Sequence, residues 1–291
     1  MKGKSVSVVI PTLNAEREIG NLLHLLSMQT VAPVEVIVID SSSNDRTVER
    51  ARAFDFTRVI EIERGDFDHG KTRNMGYEQS HGDFVLCMTQ DVIPVDVRLV
   101  ENLLAPFKDD EVAIVSGRQL PKKEARPFEQ LVREFNYPPQ SNRRDRGDVE
   151  KLGIKAFFSS DACCMYRRTS LDRIGGVPSP CSTNEDMLAA ARCLRSGMVV
   201  CYSADACVFH SHNLTLKQQF MRNKDIGEFL SINKEELDVP SEIGEGGKLV
   251  KYVCAGLIGE KEYLETVRFA LDCLARLLGN KVGRLRGKMR A

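Results

Sequence analysis

A doubly wound α/β domain, a mostly parallel sheet with helices on both faces and a helical extension behind it, is the architecture this 291-residue sequence predicts. Three observations predict it. Short β-branched runs alternate with segments of helical apolar spacing. The runs are apolar at successive positions, as strands buried on both faces are. The residues that follow them are polar and turn-forming, the layout of strand-to-helix units. With 42% hydrophobic and 28% charged residues, the composition is that of an ordinary globular protein.

The elements follow in order. Residues 5–10 (SVSVVI) form a strand closed by Pro11, and the helix after it is carried by Ile19, Leu22, Leu23, Leu25 and Leu26. Residues 35–39 (EVIVI) form the second strand, ahead of a helix that Asp45 caps. Residues 58–62 precede a helix over 71–79, and strand 84–88, helix 97–104 and strand 112–116 come next. Between 121 and 153 the periodicity dissolves into a charged stretch that includes residues 142–148 (NRRDRGD), read as a mobile loop over the site, with a solvated excursion as the alternative. Regular patterning resumes at Phe157 and Phe158, with helices over 169–174 and 185–196, strands over 198–202 and 206–209, and a helix from Leu214.

After Leu230 the composition shifts, through Pro240 and the glycines at 244, 246 and 247, to a long helical pattern over 260–278. Two domains are therefore expected, 1–235 and 236–291. The last helix carries Tyr263, Val267, Leu271, Leu274 and Leu278 at helical spacing and runs into Lys281, Arg284, Arg286, Lys288 and Arg290. This pattern suits either packing on the α/β domain or a second subunit, or peripheral attachment to an anionic membrane surface.

Lys and Arg balance Asp and Glu at 41 each, so no global field gathers nucleic acid, and an acidic ligand needs local groups or a cation to hold it. The nine cysteines show no Cys-x-x-Cys spacing, which argues against a zinc cluster and for reduced core thiols in a cytoplasmic protein. No apolar leader precedes residue 5 and no run approaches the length of a membrane span, so the expectation is a protein neither secreted nor membrane-spanning.

In open parallel sheets ligands bind outside the carboxyl ends of the strands, which makes the residues there the candidates. Pro11, Thr12 and Asn14 follow the first strand, Asp40 and Ser42 the second, and Gln90 and Asp91 the fourth. Asp40 sits where a carboxylate can accept from a base imide or a ribose hydroxyl. The segment 69–74 (HGKTRN) opens a helix, so its backbone donors, Arg73 and Asn74 are placed for a nucleotide or its phosphates.

The ordered segments VVIPTLNAEREIGNLLHLLSMQT, EVIVIDSSSNDRT, FDHGKTRNMG and GDFVLCMTQDVIP resemble the family 2 glycosyltransferases of the GT-A fold over about the first 230 residues. FDHGKTRN and FHSHNLTLKQQFMRNKDIG are most similar to the bacterial rhamnosyltransferase branch. The resemblance implies an inverting, metal-dependent transfer of a sugar, rhamnose or another deoxysugar, from a nucleoside-diphosphate donor to a hydroxyl of a saccharide or lipid-linked acceptor in polysaccharide biosynthesis. It implies a divalent cation, Mg2+ or Mn2+, on Asp91, although the first acid of the family's usual pair is absent from Thr89-Gln90-Asp91. It further implies His210 of FHSH as a second metal or diphosphate contact, Asp161 against the donor or acceptor sugar, Asp186 as the base and Glu185 as its assistant. A helix start also favours acids for capping alone. Two other readings compete: a sugar-nucleotide nucleotidyltransferase, weakened by the lack of a glycine-rich triphosphate loop, and a non-catalytic carbohydrate-binding or assembly module.

Overall fold

The computed structural model describes residues 4–237 and 245–290. In chain order its elements are β1 (Val6–Thr12), α1 (Ile19–Ser27), β2 (Glu35–Asp40), α2 (Thr47–Arg52), β3 (Thr57–Glu61), α3 (His69–Gln79), β4 (Phe84–Met88), β5 (Ile93–Pro94) and α4 (Leu99–Leu104). They continue with β6 (Val112–Leu120), α5 (Pro127–Asn136), β7 (Asn142–Arg144), α6 (Val149–Leu152), β8 (Cys163–Arg167), α7 (Arg168–Ile174), α8 (Glu185–Arg195), β9 (Val199–Phe209), α9 (Leu216–Ile232), α10 (Glu245–Gly259) and α11 (Tyr263–Lys288).

The chain divides into two compact units, one of residues 1–119, 139–149 and 155–210 and the other of 120–138, 150–154 and 211–291. Residue 236, the expected start of the second domain, falls inside the second unit. Pro240 and Gly244 lie outside the described residues.

The α/β architecture is as expected, in a sheet ordered β3-β2-β1-β4-β8-β6-β9-β5, with β7 added on β9. Strand direction differs from expectation. β3, β2, β1 and β4 run parallel, whereas β8 is antiparallel to both β4 and β6, and β5 and β7 are antiparallel to β9. A strand buried on both faces shows the same continuous apolar run in either direction, so the patterning carries no orientation. The core forms where Val8, Ile10, Val36, Val38 and Leu86 meet Ile19, Leu22, Leu23 and Leu26 of α1, all of them buried.

Residues 142–148 are not a mobile loop. β7 pairs with β9 in register, Asn142 opposite Tyr202, and Asp145 caps the turn that follows by accepting from the Gly147 amide at 2.8 Å. Arg143 reaches Glu111 at 2.8 Å, while Arg144 is buried and donates through Nη1 to the carbonyls of Lys155, Ala156 and Phe158. A short strand whose charges are consumed by partners distant in sequence shows no apolar alternation, hence its loop-like reading.

α3 is buried without an apolar stripe. Gly70, Thr72, Arg73, Gly76 and Tyr77 face inward, and the two glycines permit the approach: a Cβ on Gly76 would sit 2.3 Å from Val9 Cγ1, and one on Gly70 would sit 2.1 Å from the Pro178 carbonyl. Asp68 fixes the start of the helix by accepting from the amides of both Lys71 and Cys181 at 2.9 Å. One carboxylate thus ties α3 to the loop that leads into α8.

In the second unit, Phe128 and Val132 of α5, Val253 and Leu257 of α10 and Phe269 of α11 form a separate apolar cluster. α9 packs along α11, and α11 runs through the basic segment beyond 278 rather than stopping before it. No helix among the described residues is long and apolar enough to cross a membrane.

Candidate active site

The carboxyl ends of β1 and β4 open onto a pocket of about 240 Å³ lined by Pro11, Thr12, Leu13, Ser41, Arg64, Phe67, His69, Arg73, Thr89 and Gln90. Of the expected donor contacts, Pro11, Thr12, Arg73 and Gln90 therefore reach it. Gln90 also locks the first loop, its Oε1 accepting from the Leu13 amide at 2.7 Å and its Nε2 donating to the Leu13 carbonyl at 3.1 Å.

Other expected contacts are turned to the chain itself. Asp40 is fully buried; it accepts from Thr12 Oγ1 at 2.9 Å, from the Ser43 amide at 2.8 Å and from Ser43 Oγ at 2.6 Å. Asn14 accepts from the Asn44 amide at 2.9 Å, and Ser42 donates to the Ile62 carbonyl at 2.9 Å. Asn74 accepts from the Val177 amide at 2.9 Å and donates to Glu78 at 2.7 Å. These side chains hold the loops in shape, and Ser41, Arg64, Phe67 and His69 supply pocket surface in their place. Position after β3 would have flagged Arg64 and Phe67, by the same rule that flagged the other strand ends.

Asp91, after β4, is partly exposed, and His210, after β9, is buried. His210 Nε2 lies 3.5 Å from Asp91 Oδ1. On the other side of the ring, Nδ1 is 2.8 Å from Gln119 Oε1, whose amide nitrogen donates to Ser160 Oγ at 2.7 Å. An amide oxygen only accepts, so Nδ1 carries a proton and Nε2 is the nitrogen turned toward the carboxylate, the orientation a metal-binding histidine needs. One carboxylate oxygen and one imidazole nitrogen fit a divalent cation that takes its remaining ligands from phosphate and water. His212 is two residues further along and belongs to the second unit.

The third cluster surrounds the start of α8. Asn184, with φ at 59°, turns the chain into the helix in a left-handed conformation that asparagine tolerates better than most residues. Glu185 is buried against Arg73, with Nη1 at 2.5 Å. Arg73 Nε lies 3.1 Å from Asp161 Oδ2, close enough for charge attraction but off the line of a hydrogen bond. Tyr166 donates to Asp161 Oδ1 at 2.6 Å. Asp161, expected at the sugar, is thus only 3% exposed and engaged inside the chain.

Asp186 is partly exposed, and its two oxygens accept from the amides of Asp161 at 3.0 Å and Met187 at 2.7 Å. One guanidinium faces three carboxylates. Burial, and then the neighbouring acids, push the Asp186 and Asp161 carboxyls above their ordinary range. Burial works against the charge of Arg73, yet Glu185 and Asp161 outweigh it and hold the guanidinium firmly protonated. His69 is pushed down to about 4 by burial and by Arg73. It is therefore neutral at pH 7, and with Nδ1 receiving Arg73 at 3.0 Å its Nε2 carries the proton as a donor.

Residues 7–175 match the family model described as glycosyl transferase family 2. The chain is 36% identical over 281 residues to the O-antigen chain rhamnosyltransferase RfbN of Salmonella typhimurium, covering 96% of this chain and 89% of that protein. It is also 36% identical over 283 residues to the O-antigen chain rhamnosyltransferase WbaN of Salmonella anatum, with the same coverage. Among solved structures it shares its fold with the mannosyltransferase PcManGT of Pyrobaculum calidifontis, in complex with GDP-Man and Mn2+, at a TM-score of 0.64 and 15% identity over 98% of this chain and 87% of that one. Glucosyl-3-phosphoglycerate synthase from Mycobacterium tuberculosis, in complex with Mn2+, UDP-glucose and phosphoglyceric acid, superimposes at a TM-score of 0.55 and 19% identity over 82% of each chain. A pocket at the carboxyl ends of parallel strands, a carboxylate–imidazole pair and an acid pair opening α8, joined to these matches, establish that the chain is a glycosyltransferase and belongs to glycosyl transferase family 2.

Proposed function

We propose that this glycosyltransferase moves rhamnose, or a closely related deoxyhexose, from a nucleoside-diphosphate donor to a hydroxyl of a saccharide or lipid-linked acceptor, inverting the anomeric centre, in the cytoplasm. The observation that carries the reading is the division of labour in the acid pair. Glu185 is buried on Arg73, whereas Asp186 is partly exposed and fixed by two backbone amides. Asp186 accepts the acceptor's proton as the hydroxyl attacks, on the face opposite the departing diphosphate. Glu185, Asp161 and Arg73 position it, and burial of its carboxyl beside Glu185 makes it a stronger base than a solvated aspartate.

Thr12, Ser41, Arg64 and His69 surround the nucleotide and its phosphates, with the neutral His69 as donor and Arg64 as cation. Asp91 and His210 would hold Mg2+ or Mn2+, which neutralises charge on the diphosphate. The share of nitrogen in this donor set favours Mn2+. Rhamnosyl transfer is supported by identity with the two rhamnosyltransferases along nearly the whole chain. The nine cysteines, all free thiols, support a reducing compartment.

The test is a panel of nucleotide sugars incubated with the enzyme and a lipid-linked oligosaccharide, scored for nucleoside diphosphate release and product. Release that is confined to a deoxyhexose donor and needs a divalent cation supports the reading. Equal use of hexose donors would refute the sugar assignment, and pyrophosphate as the released product would point to a nucleotidyltransferase.

A further inference from the structure

α11 is a 26-residue helix with two apolar or close-packed faces, and among the described residues only one of them is covered. The inward face is set by glycine. A Cβ on Gly279 would lie 2.3 Å from the Phe220 carbonyl oxygen of α9, and one on Gly283 would lie 1.9 Å from that of Lys224, so backbone meets backbone with no room for a side chain. Phe269, Glu265 and Asp272 are buried on the same face. The contact between α9 and α11 is therefore specified in detail, and α11 cannot be rotated to bury its other side.

That other side is apolar. Leu264, Val267, Leu271, Leu274, Leu278 and Leu285 recur at helical spacing, each between 47% and 63% exposed, and Met289 closes the row at 84%. At 1.5 Å per residue, Leu264 to Met289 covers about 37 Å of helix. The row is flanked by cations. Over 263–290 the sequence has seven basic residues and two acidic ones, Glu265 and Asp272. Both acids are buried and bonded, Glu265 to Arg268 and Asp272 to Arg276 at 2.6 Å. From Lys281 onward every charge is positive.

This charge pattern selects the occupant. A second copy docking row to row would set like charges beside each other if parallel. If antiparallel, it would aim the basic half at residues 263–277, which offer no exposed acid. Arg286 and Arg290 are ion-paired with Glu228 of α9, which leaves the exposed Lys281 and Lys288 beside the row. An anionic lipid surface takes both features at once, the apolar row entering the acyl boundary while these two lysines reach the headgroups. We propose that the outer face of α11 is a peripheral membrane-docking surface that holds the enzyme on bilayers rich in anionic phospholipid.

The full-length protein would be sedimented with vesicles of phosphatidylglycerol and phosphatidylcholine in equal parts, and with vesicles of phosphatidylcholine alone. The expected result is binding to the first only, weakened by salt. Lys281→Gln and Lys288→Gln should each weaken it by about fivefold. Leu274→Gln with Leu278→Gln should abolish it, while Val34→Gln, an exposed apolar site on the first unit, leaves it intact. Because the substituted side chains are exposed, circular dichroism and turnover on a water-soluble acceptor should match wild type. No vesicle binding, or equal binding to both vesicle types, would overturn the proposal. So would a concentration-dependent dimer that the leucine substitutions dissociate and vesicles do not, since the row would then belong to a second copy.

Discussion

Asp186→Asn separates chemistry from binding. Loss of a general base is typically worth 10²- to 10⁴-fold in turnover, and Asp186 does not line the pocket proposed for the nucleotide, so the donor dissociation constant should stay at the wild-type value. The fold should survive because two effects of similar size oppose each other. Asparagine keeps one acceptor for the two amides that Asp186 binds but turns an NH2 toward the other, a cost of about 1–3 kcal/mol. It also removes a poorly hydrated charge beside Glu185, and each pKa unit of upward displacement is worth about 1.4 kcal/mol.

The pH dependence checks the same group independently. The folded carboxyl, at about 6, stands above its unfolded value, so the native state holds the extra proton between the two. Its stabilising contribution is full below the unfolded value near 4 and is lost as pH rises through about 6. Relative to wild type, the variant should gain stability across that window, and the acid limb of wild-type turnover should lie near 6 rather than near 4. Chemical denaturation at several pH values, single-turnover transfer and donor calorimetry provide the three readouts. Near-normal turnover in Asp186→Asn, or a donor affinity that falls in step with turnover, would refute the assignment of the base.

Arg73→Met should destabilise the chain by about 3–5 kcal/mol at neutral pH, because Glu185 and Asp161 are left buried without their cation; an unchanged urea midpoint would contradict this. Glu185→Gln should also lower stability and reduce turnover less than Asp186→Asn does, and a larger turnover loss would shift the base to Glu185. Asp91→Asn and His210→Ala should each abolish the Mn2+-dependent part of donor binding while leaving metal-free binding as it was, which calorimetry with and without the ion measures. Asp40→Ala should weaken free nucleoside diphosphate and sugar donor by the same factor, since it unties Ser43 and Thr12, the latter in the pocket proposed for the nucleotide; a loss confined to the sugar donor would move Asp40's influence to the sugar.

Much of this protein is legible in local chemistry. Continuous apolar runs such as residues 35–39 mark strands buried on both faces whatever their neighbours, and Ile19, Leu22, Leu23 and Leu26 mark the helix that covers them, because burial and period are properties of a few consecutive residues. The polar strand ends located the pocket, and the order of several short segments pointed to the family. Strand direction, the pairing of β7 with β9 and the use made of each polar side chain were not legible. They depend on contacts between residues far apart in sequence, such as Arg73 with Glu185 or Gln90 with the Leu13 backbone. An isolated carboxylate looks the same on paper whether it will face a ligand, as Asp186 does in the proposed mechanism, or the chain's own donors, as Asp40 does. Only the folded chain decides this, because a polar group's role is set by which partner reaches it first once water is excluded.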